Sequence, residues 1–128
     1  MKYVEIQGKK MPAQFNMAAF LELEQQCGLT MAEILGVVEN SPAILMRSFY
    51  LALKYGADAS HKRFDMTYSD FVEVANDDDE LQTSLSEILI SDFKVLVEKI
   101  NKKRDTNVPS DQPEEEKKVK PSGTTTPE

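Results

Sequence analysis

A mainly α-helical domain opened by a β-hairpin is the fold that this 128-residue sequence predicts. Three observations carry that prediction. Residues 3–7 alternate apolar and polar ahead of a Gly-Lys pair, as a strand entering a tight turn does. Five later stretches repeat apolar residues at three- and four-residue steps behind residues that cap helices. After Lys103 the only apolar side chains from the large aliphatic set are Val108 and Val119, and Pro109, Pro113, Pro121 and Pro127 stand among Ser, Thr, Asp and Glu. The chain therefore divides into a helical domain with its hairpin at 1–103 and an acidic, Pro-rich tail at 104–128. The tail is expected to be disordered, because it offers too little apolar area to offset an ordering entropy of about 1–2 kcal/mol per residue.

In the hairpin, Tyr3-Val4-Glu5-Ile6-Gln7 is the first strand and Met11 to Phe15 the second, with Gly8-Lys9 turning between them. Gly8 as the first central residue suits a type II′ turn. Pro12 lacks an N–H, so it belongs on an edge or at an unpaired position. Two strands alone are marginal, and the hairpin must lean on helices.

Each helix start has a local chemical reason. Asn16 caps the first helix, with Phe15 and Phe20 placed as a hydrophobic staple, and Gly28 stops it. Thr30 with Glu33 forms a capping box for the second, stapled by Leu29 and Ile34. Ser41-Pro42 opens the third in the cap-then-proline order, and Gly56 is read as its end, leaving Ala57 to Arg63 as a loop. Thr67 with Asp70 opens the fourth, stapled by Met66 and Phe71. Asp77 with Glu80 opens the fifth, with Asp78 and Asp79 in a first turn whose dipole favours negative charge.

The third helix carries Ile44, Leu45, Met46, Phe49, Tyr50, Leu51 and Leu53 around most of its circumference, with Arg47 and Lys54 as its charges, so it should be central. The fifth repeats Leu81, Leu85, Ile88, Leu89, Phe93, Leu96, Val97 and Ile100 as one stripe. From Asp79 to Lys103 it would run roughly 37 Å, more than so small a domain needs to cover itself. Ile90 and Val95 lie off the stripe. Candidate partner-binding residues are accordingly Ile90, Phe93, Leu96, Val97 and Ile100 on the last helix, with Tyr50 and Tyr55 near the end of the third. Changing Phe93 and Val97 together to Glu is expected to abolish binding while leaving the helices intact.

Catalytic chemistry finds no foothold. His61, the one histidine, sits in a polar loop with no second ligand at metal spacing, and Ser60 beside it cannot hold triad geometry. Cys27, the one cysteine, shares a helical face with Phe20 and Leu23 and is read as a buried structural thiol. Asp77 to Glu80 lacks the ligand spacing and central Gly of a calcium loop. Gly8-Lys9-Lys10 is too short to cradle a phosphate. An enzyme is not expected, and neither is a cofactor or a metal.

The lone cysteine excludes an intramolecular disulfide, and no run reaches the roughly 18 apolar residues of a membrane span. A reducing, cytoplasmic location is the expectation. A net charge of −7 opposes binding to nucleic acid or anionic lipid and leaves another protein as the default partner. The second and third helices superficially suggest a helix-turn-helix, but the third exposes too few basic side chains to read bases.

The order of these elements resembles a known family. The stretch YVEIQGKKMPAQFNMAAFLELEQQCGLTMAEIL is similar to the opening of phage tail assembly chaperones, small acidic proteins encoded between tail tube and tape-measure genes. Gly8-Lys9, Phe15-Asn16, Phe20, Leu21, Glu24, Gly28, Leu29 and Thr30 carry the likeness, and AILMRSFYLALKYG followed by MTYSDFVEVAND extends it over about residues 2–100. The tail from Asp105 is longer and richer in Pro than the family pattern. The resemblance implies a helical chaperone that coats the apolar, helical tape-measure protein in the host cytoplasm, recruits tail tube protein and is absent from the mature virion. Two other classes stay open: a minor tail structural or completion protein, and a cytosolic helical adaptor unrelated to phage. Self-association also stays open.

Overall fold

The structure, a computed structural model, describes residues 1–107, with side chains through Lys102. It is mainly helical, with an N-terminal antiparallel hairpin and five helices. The expected disordered tail lies outside the described residues, apart from its first four, which continue the last helix. Two compact units are distinguished, Met1–Lys94 and the segment from Val95 onward.

Strands β1 (Lys2–Ile6) and β2 (Lys9–Ala13) pair antiparallel, Ile6 opposite Lys9 and Lys2 opposite Ala13. The second strand thus begins two residues before the expected Met11. Gln7 and Gly8 are the two turn residues, and both have positive φ, 52° and 78°. That is the type I′ signature, not the expected II′, whose first central residue alone has positive φ. Primed turns match the right-handed twist of the flanking strands, and type I′ places both Gln7 and Gly8 in the left-handed region.

Helix α1 (Met17–Cys27) starts where Asn16 Oδ1 accepts the Ala19 N–H at 2.9 Å. It stops at Gly28, whose φ of 68° is the left-handed cap. The Phe15 and Phe20 rings meet edge-on at 5.4 Å, completing the staple. Cys27 is half-buried, more open than the sequence suggested. Helix α2 (Met31–Val37) has both bonds of the Thr30–Glu33 capping box, and a 3-10 turn, Val38–Asn40, leads to Ser41.

Helix α3 (Pro42–Ala59) is the central element, burying Ser48, Phe49, Leu51, Ala52, Leu53, Gly56 and Ala57. The Ser48 hydroxyl satisfies itself on the Ile44 carbonyl at 2.8 Å. The helix does not end at Gly56. It continues one turn and closes in a Schellman arrangement: His61 N–H to Asp58 O at 3.2 Å, Lys62 N–H to Ala57 O at 2.8 Å, and His61 itself at φ 56°. Gly56 is needed for another reason. A Cβ there would stand 2.6 Å from Ala13 Cα and 2.7 Å from Pro12 O, so the missing side chain lets α3 seat directly on β2. The Gln14 N–H donates to Ala52 O at 2.9 Å across the same seam.

Helix α4 (Tyr68–Asn76) starts at Thr67, whose hydroxyl accepts the Asp70 N–H at 3.1 Å. Helix α5 (Asp79–Asn107) starts one residue later than expected. Asp78 caps it, accepting the Leu81 N–H at 3.0 Å, whereas Asp77 ends α4. Leu81, Leu85, Ile88, Leu89 and Phe93 are buried along its first half. Among the described residues no helix is long and apolar enough to cross a membrane.

Candidate partner-binding surfaces

The residues expected to meet a partner fall into two groups, those tied into the domain and those left outside it. Tyr50 belongs to the first. Its hydroxyl donates to Met66 O at 2.8 Å, and its ring packs against Phe64, Tyr68 and Phe71 at 5.5, 5.5 and 5.8 Å. Arg47 lies 3.7 Å over the Tyr68 ring, closing that cluster from the solvent side. Tyr50 therefore holds α4 and its entry loop onto α3.

Tyr55 holds α1 onto α3. Its hydroxyl donates to Glu22 Oε1 at 2.6 Å, while Lys54 Nζ donates to the same carboxylate at 3.1 and 3.2 Å. Burial pushes the Glu22 carboxyl up, but the Tyr55 and Lys54 hydrogen bonds and the charges of Lys54 and Arg47 outweigh it. The group sits below the usual carboxylate range. The bond to Glu22, then burial, pushes the Tyr55 phenol up to about 12. This is a stabilised tie between helices and not an acid-base pair, because neither shift brings its group toward neutral pH.

Phe93 is a core residue. Its ring lies 5.0 Å from Phe15 and 5.2 Å from Phe20, and only 9% of its surface is exposed. The expectation that Phe93 can take a charge without harm to the fold is therefore overturned, since Glu there would put a carboxylate against the Phe15 and Phe20 rings. Leu96 is buried, and Val97 and Ile100 are half-buried. Ile90 is different, at 66% exposed. The structure brings Phe93 into the aromatic trio, sets Ile90 one turn before it on the open flank, and places Tyr50 and Tyr55 on separate flanks of α3.

Two outward residues were missed by the sequence reading. Met17 and Leu21, on α1, are 39% and 54% exposed. Met17 lies one turn before Phe20 on α1, as Ile90 lies one turn before Phe93 on α5, and Leu21 follows Phe20. The signal was present: an i, i+4 apolar pair off the buried Ala19-Phe20-Leu23 stripe.

An open groove of about 540 Å³ lies between the hairpin and α4, lined in part by Lys9, Met11, Phe64, Asp70 and Glu73. Its charges are of both signs and select no ligand class. Among the described residues no group of acidic, His or Cys side chains has metal-site geometry. No family model matches the chain, and neither a curated protein nor a solved structure matches it.

Proposed function

We propose that this chain is a phage or prophage tail assembly chaperone, a small helical protein that binds the tape-measure protein, keeps it in solution and helps bring tail tube protein to it. Two things support the reading. One is the resemblance carried by residues 2–100, from the Gly8-Lys9 turn through the Gly28-Leu29-Thr30 helix junction. The other, on which the reading rests, is the exposure of Met17, Leu21 and Ile90 on the two helices that the Phe20–Phe93 ring contact joins. Exposed apolar side chains on rigid helices suit capture of an amphipathic helix, whose own apolar stripe they cover. The net charge of −7 keeps such a carrier from associating with nucleic acid.

The test is a pull-down of the tagged chain from cells expressing its own gene cluster, with the bound proteins identified by mass spectrometry. One long helical protein recovered with tube subunits, and lost when Met17, Leu21 and Ile90 are changed together to Glu with circular dichroism unchanged, is the expected result. Recovery of neither protein by a folded bait, or its presence in purified particles, would overturn the reading.

A further inference from the structure

We propose that the outer edge of β1 is a docking site for an extended, lysine-containing peptide segment, which adds to the hairpin as a third strand beside the start of α5. Ile6 and Lys9 close a two-residue turn and form a hydrogen-bonded pair, so Val4–Met11 and Lys2–Ala13 are hydrogen-bonded too. Tyr3 and Glu5 are then the non-hydrogen-bonded positions of β1, and their N–H and C=O groups point away from β2. Among the described residues neither backbone has a hydrogen-bond partner.

The two edges of the sheet are treated differently. On β2 the equivalent outward position opposite Tyr3 is Pro12, which has no N–H, and α3 covers that side through Gly56 and the Gln14–Ala52 bond. On β1 both outward donors and both acceptors remain. Exposed strand edges are usually blunted, and this one carries no proline and no covering strand.

A groove of about 500 Å³ lies at the turn end of that edge, between Glu5, Gln7 and Gly8 on the hairpin and Asp78, Glu80 and Ser84 at the start of α5. Three carboxylates and no basic side chain are among the residues that line it. The two nearby lysines of the hairpin are engaged elsewhere: Lys10, on the same face as Glu5, lies over the Tyr3 ring at 5.0 Å, and Lys2, on the other face, reaches Ser91 and Asp92 at 2.8 and 3.4 Å. Backbone groups supply the affinity of such strand addition, and the flanking charges choose the occupant. An alternating Lys/apolar segment places its ammonium groups along the carboxylates while its amides pair with Tyr3 and Glu5. These residues are separate from Met17, Leu21 and Ile90, so this site and the chaperone reading fail independently.

The test uses the full chain and an acetylated, amidated Lys-Val-Lys-Val-Lys-Val-Lys peptide, followed by amide NMR at low salt. Expected are shifts at Tyr3, Glu5 and Ser84, and slowed hydrogen exchange of the Tyr3 and Glu5 amides at saturation. Tyr3→Pro removes one outward donor without touching the β1–β2 ladder and should weaken binding about tenfold. Added salt should weaken it further. Should Tyr3→Pro fail to fold, the exchange measurement on the unaltered chain decides alone. Unslowed exchange at saturation, equal binding of the Glu-Val counterpart, or protection that grows with protein concentration before any peptide is added would each overturn the proposal, the last because a second copy would then occupy the edge.

Discussion

Gly56→Ala is the sharpest probe of how the hairpin is held. In an exposed helix interior this change would stabilise by about 1 kcal/mol, because Ala loses less backbone entropy than Gly. Here the new methyl carbon would lie 2.6 Å from Ala13 Cα, 2.7 Å from Pro12 O and 2.8 Å from Ala13 N. Carbon atoms rest at about 3.5–4.0 Å, so α3 and β2 must separate by roughly 1 Å. Both sides are backbone, and no side-chain rotation relieves the contact. Overpacking of this kind costs about 3 kcal/mol at the upper end of its usual range. Stretching the Gln14–Ala52 hydrogen bond costs about 1 kcal/mol more. Set against the propensity gain, the variant should lose about 3 kcal/mol, or about 12–24 °C in Tm for a domain of this size. Urea and thermal unfolding followed by circular dichroism measure both. Gly36→Ala is the internal control. It lies in α2 with nothing within 4 Å of the added carbon, and should gain up to about 1 kcal/mol. A Gly56→Ala variant as stable as the parent would show that the hairpin is not seated on α3.

The aromatic trio predicts that Phe93→Ala loses about 3–5 kcal/mol in denaturant unfolding, whereas Ile90→Glu leaves stability within about 0.5 kcal/mol. Equal losses would mean that the two residues share one environment. Asp78→Ala should cost about 1 kcal/mol as a lost helix cap and Asp77→Ala much less, read from urea midpoints; the reverse ranking would restore Asp77 as the cap. Tyr55 should ionise near 12, above the ordinary 10.0, when its tyrosinate absorbance is followed against pH, and Glu22→Gln should bring it back toward the ordinary value. The sign for stability follows. Because folding raises the Tyr55 pKa, its contribution is complete below pH 10.0 and is lost as pH rises toward 12. Glu22, whose pKa folding lowers, contributes above its ordinary 4.5, and that contribution is lost as pH falls through its lower folded value.

Elements whose cause is local could be read from the sequence, and those whose cause is tertiary could not. Asn16, Thr30 with Glu33, Ser41-Pro42 and Thr67 each satisfy backbone donors within three residues of themselves, so their chemistry is complete in a short window. Gly56 looked like a stop because glycine often ends a helix, but its reason is a strand more than forty positions away. The true stop has no glycine to mark it, and His61 takes the left-handed position that glycine would usually hold. Three consecutive aspartates offered three caps one residue apart, and only the geometry picks Asp78. The surface residues divide the same way. Periodicity put Phe93 on the long stripe of the last helix and Ile90 off it, but it could not say that Phe15 and Phe20 would cover Phe93.

The placement of the hairpin also decides which of its edges is available. A two-stranded sheet has two edges, and Pro12 marked β2 as the one unsuited to further pairing. The helix then used that edge: Gly56 brings α3 against Ala13, and Ala52 takes the Gln14 N–H. With β2 held, β1 must be the free strand, and the cap of α5 at Asp78 brings carboxylates beside it. A single glycine in the middle of a helix thereby sets the orientation of a surface far from it. If Gly56→Ala loosens the hairpin, peptide protection of Tyr3 and Glu5 should weaken along with stability. A surface independent of that seam would keep its peptide while the domain lost stability.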